Sequence, residues 1–137
     1  MSTAGAVAAT AASRPYPPNV LVLNSDHRLH GTIREALEKT PSEITFADPL
    51  QESTRILEHT QAFSVVVIDA TDPEMAFSLL EKIKNIWPEA RIVFLSNDME
   101  FWMESIQRGA YDMLPIPLHG PDLAWIVNGA ISRLGAA

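Results

Sequence analysis

The chain contains no cysteine in its 137 residues. Disulfides, thiolate metal sites and cysteine nucleophiles are therefore excluded together, and the composition fits a reducing cytoplasm. Basic charge is also scarce. Ten Lys and Arg stand against 17 Asp and Glu, for a net charge of −7, and the only lysines are Lys39, Lys82 and Lys84. Phosphate backbones are met by clustered Lys and Arg, so direct nucleic-acid binding is not expected. No apolar run approaches the roughly 20 residues of a membrane span. A Gly-rich phosphate loop, a Ser-His-Asp order and a zinc spacing are all missing, so no enzyme is expected. What remains is 47% hydrophobic and 20% charged residues, the make-up of one ordinary globular domain.

Residues 1–18 are small residues and prolines with little to bury, and read as a flexible Ala/Pro-rich tail. From Asn19 the texture changes, and residues 19–135 read as the folded domain. Val20-Leu21-Val22-Leu23, Val65-Val66-Val67-Ile68 and Ile92-Val93-Phe94-Leu95 are short apolar runs of the kind buried on both faces of a parallel sheet. Ile44-Thr45-Phe46 and the stretch from Tyr111 to Leu114 are weaker strand candidates. Between them lie amphipathic segments at about 27–39, 49–60, 73–87, 98–108 and 121–134. Ser25 or Asp26 can cap the first, and Asp98 the fourth. The seven prolines after the tail fall at predicted boundaries. Alternating strands and helices predict an α/β fold: a three-layer, doubly wound (βα)5 flavodoxin-like sandwich with a parallel five-stranded sheet.

In such a sheet ligands gather at the carboxyl ends of the strands. Those ends are Asn24-Ser25-Asp26, Asp48, Asp69, Ser96-Asn97 and Pro115-Ile116-Pro117. An acid closing an apolar strand, as Asp69 does, is either a plain terminator or part of a site, and the spacing alone leaves both open.

Three stretches together carry a resemblance. They are Val65 to Met75 with Asp69 and Pro73, Ile92 to Asn97 with Ser96, and Gly109-Ala110 to Pro117. In that order and separation they resemble the receiver domains of bacterial two-component response regulators, over about Asn19 to Leu134. The resemblance implies strand order 2-1-3-4-5. It makes Asp69 the phosphoacceptor, Thr71 a backbone-carbonyl ligand of Mg²⁺, Ser96 the hydroxyl that contacts the phosphoryl group, and Pro117 a cis proline after Ile116. Asn97 and Met113 take the places of the small residue and the aromatic that take part in switching. Tyr111, two residues before Met113, is expected to share its face.

Several positions depart from the pattern. The acidic pair that would hold Mg²⁺ is Asn24-Ser25, with Asp26 next, so any Mg²⁺ site formed by Asn24, Ser25, Asp26, Asp69 and Thr71 is expected to be weak or lost. The lysine position is Ile116, which offers neither charge nor donor. The resemblance therefore implies an atypical, pseudo-receiver type that works by protein–protein contact on a partner or attached output domain, with weak or no phosphorylation of Asp69. The alternative is a working phosphoacceptor served by a histidine kinase. Trp102, Met103, Ile106, Tyr111 and Trp125 are candidate interface residues, on the fourth helix, fifth strand and last helix that form a homodimer or effector face in the family. The chain reads as a stand-alone receiver or the first domain of a longer regulator. His27 and His30 read as a solvated helix face.

Overall fold

A computed structural model describes residues 19–24, 27–40, 42–48 and 63–136. The tail at 1–18, Ser25, Asp26 and the segment expected at 49–60 lie outside the described residues. Five strands form one sheet: β1 Asn19–Leu23, β2 Glu43–Ala47, β3 Val65–Asp69, β4 Arg91–Ser96 and β5 Asp112–Pro115. Every pairing is parallel and the order is β2-β1-β3-β4-β5. The direction of winding thus reverses between β1 and β3, and β2 and β5 are the edges.

The apolar runs of β1, β3 and β4 are continuous because these strands bury both of their faces. Leu21, Leu23, Val66, Ile68, Ile92, Phe94 and Met113 enter one core with Ala76, Leu79, Leu80 and Ile83. These helical residues belong to α2, Pro73–Ile86. Val20, Val22, Val65, Val67, Val93, Leu95 and Leu114 enter a second core with Ile33, Leu37, Leu123, Ile126 and Val127. Here the partners are α1, Arg28–Ala36, with the turn after it, and α4, Gly120–Ala136. One core lies on each side of the sheet, as the doubly wound expectation requires.

Local chemistry sets the element ends. Asp72 caps α2, its carboxylate accepting from the Met75 N–H at 3.3 Å, with Pro73 in the first turn where its missing donor costs nothing. The segment expected as one helix from Asp98 is divided. Met99–Phe101 is a 3₁₀ turn, and α3 is only Trp102–Gln107. Asp98 caps the tight turn by accepting from the Glu100 N–H at 3.0 Å. After α3, Gly109 takes φ +113°, a conformation that a Cβ would strain, and the chain turns into β5.

Candidate functional site at the carboxyl edge of the sheet

Asn24, Asp69 and Ser96 stand at the carboxyl ends of three adjacent strands. Leu23 is in register with Ile68, which brings Asn24 level with Asp69. Asp69 is in turn level with Leu95, one residue before Ser96. The Ala70 N–H donates to the Leu95 carbonyl at 2.7 Å, so β3 and β4 stay joined one step past the acid. Asn24 and Ser96 are buried, whereas Asp69 is half-buried.

The Asp69 carboxylate is occupied from within its own loop. Its Oδ1 accepts from the Thr71 backbone N–H at 3.0 Å and from the Thr71 hydroxyl at 2.6 Å. The Ser96 hydroxyl is engaged within its own loop. Its Oγ accepts from the Asp98 N–H at 3.0 Å and donates to the Asp98 carbonyl at 3.2 Å. Asn97 is exposed beside it.

Asn24 is anchored through its backbone: its N–H donates to the Ala47 carbonyl at 3.1 Å, and its own carbonyl lies 3.3 Å from His30 Nε2. His30 is also stacked near Phe46, with ring centres 4.3 Å apart, and meets the His27 ring at 4.8 Å. The solvated-face expectation thus holds for exposed His27 but not for His30, which is half-buried against β2. That contact joins residues distant in sequence, and helical periodicity carries no signal for it.

Ile116 sits where an ammonium would be expected, and its side chain packs against the core shared by α1 and α4. Its N–H donates to the Ser96 carbonyl at 3.0 Å, and the Ile116–Pro117 peptide is cis. Met113 is buried on the opposite side of β5, next to Phe77 and Phe94. It packs in an apolar cluster with Ala70, Pro73, Phe77, Phe94 and Phe101 that leaves no room for a water molecule. Tyr111 does not share this face. It precedes β5, which begins at Asp112, so the alternation does not reach it; it packs instead on the α1 and α4 side, with the Arg91 guanidinium 5.8 Å from its ring centre.

The donor set for a divalent cation can be judged from these side chains. Mg²⁺ is ordinarily held by one or two carboxylates with several waters. Asp69 contributes one, already bonded to Thr71, and Asn24 has an uncharged amide. Among the described residues no three His, Asp or Glu side chains converge at metal-holding distance. The described residues therefore fit a strong Mg²⁺ site poorly, and Ser25 and Asp26 lie outside them.

Of the interface candidates, Trp102, Met103 and Trp125 are exposed, and Ile106 and Tyr111 are half-buried. Met99, four residues before Met103, is also exposed. The Trp102 indole N–H donates to Asp112 Oδ1 at 3.3 Å and so ties α3 to the start of β5.

No protein-family model matches the chain. Among curated proteins, the DNA-binding transcriptional regulator NtrC of Bradyrhizobium sp. (strain RP501 Parasponia) is 26% identical over 118 residues, 84% of this chain. The chain spans only 24% of that relative's length. A response regulator receiver domain protein from Clostridium thermocellum superposes with a TM-score of 0.73 at 27% identity, over 85% of this chain and 95% of that one. A response regulator from Thermotoga maritima gives a TM-score of 0.76 at 24% identity, over 85% and 98%.

Proposed function

Taking this chain as the response-regulator receiver domain that its fold and relatives make it, we propose that it signals in a two-component system through protein contact, with weak or no Mg²⁺-dependent phosphorylation at Asp69. The observation that carries this reading is the pairing of losses around a retained acid. Asp69 closes β3 in the acceptor position, while Asn24 and Ile116 bring no charge to it and Ile116 is packed into the core. Phosphoryl transfer relies on cations to offset the charge gathering on the transferred group, and a neutral surround withholds that help.

On this reading the protein is cytoplasmic and is not itself an enzyme. Its partners are a histidine kinase or another signalling protein, and an output domain or target acted on by contact. The exposed Trp102, Met103 and Trp125 mark α3, β5 and α4 as the face for such contact, including a homodimer. Any Mg²⁺ would be held weakly, by the Asp69 carboxylate and the Thr71 carbonyl with Asn24 or Asp26. A working phosphoacceptor is the second reading, favoured by one feature: Asp69 is half-exposed and reachable at the strand end.

Acetyl phosphate and beryllofluoride, each with Mg²⁺, separate the two. Substoichiometric modification that only high reagent concentrations produce is expected. A stoichiometric, Mg²⁺-dependent adduct at low concentration, abolished in Asp69→Asn, would overturn the weak-acceptor reading.

A further inference from the structure

Both polar donors of Thr71 converge on one oxygen, the Oδ1 of Asp69. A hydroxyl donating to a carboxylate at 2.6 Å is in the short, charge-assisted range, stronger than a neutral pair. The contact favours one orientation of the carboxylate and draws on the lone pairs that any electrophile needs. Among the described residues at the neighbouring strand ends nothing cationic bonds this oxygen, and positions 24 and 116 are Asn and Ile. Thr71 is exposed, so its hydroxyl can exchange this bond for one to water. The contact therefore weights the equilibrium of the carboxylate and does not seal it.

We propose that Thr71 is a positioning residue whose hydroxyl biases Asp69 toward one rotamer and competes with phosphoryl-type electrophiles for its Oδ1. This rests on the reading of Asp69 as the acceptor position. Beryllofluoride is a suitable probe: an Asp69 oxygen donates a lone pair to beryllium and displaces its water ligand, so no oxidant or reductant is involved.

The test compares the full chain with Thr71→Val, which removes the hydroxyl at nearly constant shape, and Thr71→Ser, which keeps it. Three-bond couplings about the Asp69 Cα–Cβ bond report the rotamer, and fluorine NMR with Mg²⁺ in the buffer reports uptake. In Thr71→Val the couplings should average and half-saturation should fall about three- to tenfold, the effect of losing one competing hydrogen bond. Thr71→Ser should restore wild-type couplings and uptake. An Asp69 that keeps one rotamer in Thr71→Val overturns the proposal, as does uptake by Thr71→Val no better than wild type, including none by either. Stoichiometric uptake by the wild type at low reagent concentration would instead overturn the weak-acceptor function, with the ratio of Thr71→Val to wild type still deciding the role of Thr71.

Discussion

Ser96 and Asp98 bond to each other in both directions, the Asp98 N–H donating to the Ser96 hydroxyl at 3.0 Å and that hydroxyl donating back to the Asp98 carbonyl at 3.2 Å. This closed loop holds the chain leaving β4 just before the 3₁₀ turn that leads into α3. It also shows where the hydroxyl is spent in this structure: on its own loop, and not on Asp69. Ser96→Ala should therefore lower stability by about 1 kcal/mol, the usual net value of a lost hydrogen bond at a buried hydroxyl. Urea denaturation should show a lower midpoint at unchanged slope. An unchanged midpoint would mean that the loop gains nothing from this contact.

Restoring a cation should change the chemistry more than the fold. In Ile116→Lys the four-carbon stem can follow the apolar path that Ile116 now takes, carrying the ammonium to the rim. Beryllofluoride uptake at Asp69 should improve at least about tenfold, since charge-assisted contacts exceed 1.4 kcal/mol. Thermal stability should fall, because up to about 1 kcal/mol of the half-buried isoleucine contact is lost. Uptake no better than wild type would show that the missing charge is not what limits Asp69.

The strand ends were legible in the sequence because burial on both faces leaves a plain mark: four apolar residues, then a polar one. Val65 to Ile68 followed by Asp69, and Val20 to Leu23 followed by Asn24, place two members of the site without any side-chain geometry. The losses at 24 and 116 were equally legible, since they are losses of residue type. Other features were not. The face taken by Tyr111 depends on where β5 starts, a matter of one residue. The grip of Thr71 on Asp69 depends on a rotamer, and the contact of His30 with the Asn24 carbonyl joins β1 to α1 through tertiary packing. None of these leaves a periodic signal.

The tie between Trp102 and Asp112 gives an optical readout of α3. At 3.3 Å and near solvent it should contribute well under 1 kcal/mol. Asp112→Ala should nevertheless release the indole toward water, with a red shift and partial loss of its emission. Trp87 is buried and Trp125 already exposed, so Asp112→Ala with Trp102→Phe as control isolates the change. Identical emission from Asp112→Ala and wild type would argue against the tie.

Phe94 should be the least replaceable side chain near the site. It is 1% exposed, stands in β4 two residues before Ser96, and meets the Phe77 ring edge-on at 5.9 Å. Phe94→Ala removes most of a buried aromatic and should cost about 3–5 kcal/mol. Phe94→Leu, which refills part of the volume, should cost clearly less. Equal losses for the two would point to a specific ring contact, and not the cavity, as the main term.

Lys84 gives a pH dependence of definite sign. Its Nζ donates to the Ala90 carbonyl at 2.9 Å and to the Pro88 carbonyl at 3.3 Å, bracing the turn between α2 and β4. Partial burial, and secondarily the Arg91 charge, lower its pKa from the ordinary 10.5. Below the lowered folded value both states carry the proton, and the folded state bears the cost of holding it. Between that value and 10.5 the unfolded chain binds more protons, so stability rises with pH, and the gain is complete above 10.5. Lys84→Met lacks this group. The stability difference, wild type minus Lys84→Met, should therefore climb as pH is raised toward 10.5 in paired urea titrations. A difference that falls over the same range would mean that the Pro88 and Ala90 carbonyls hold the ammonium more strongly than burial and Arg91 oppose it.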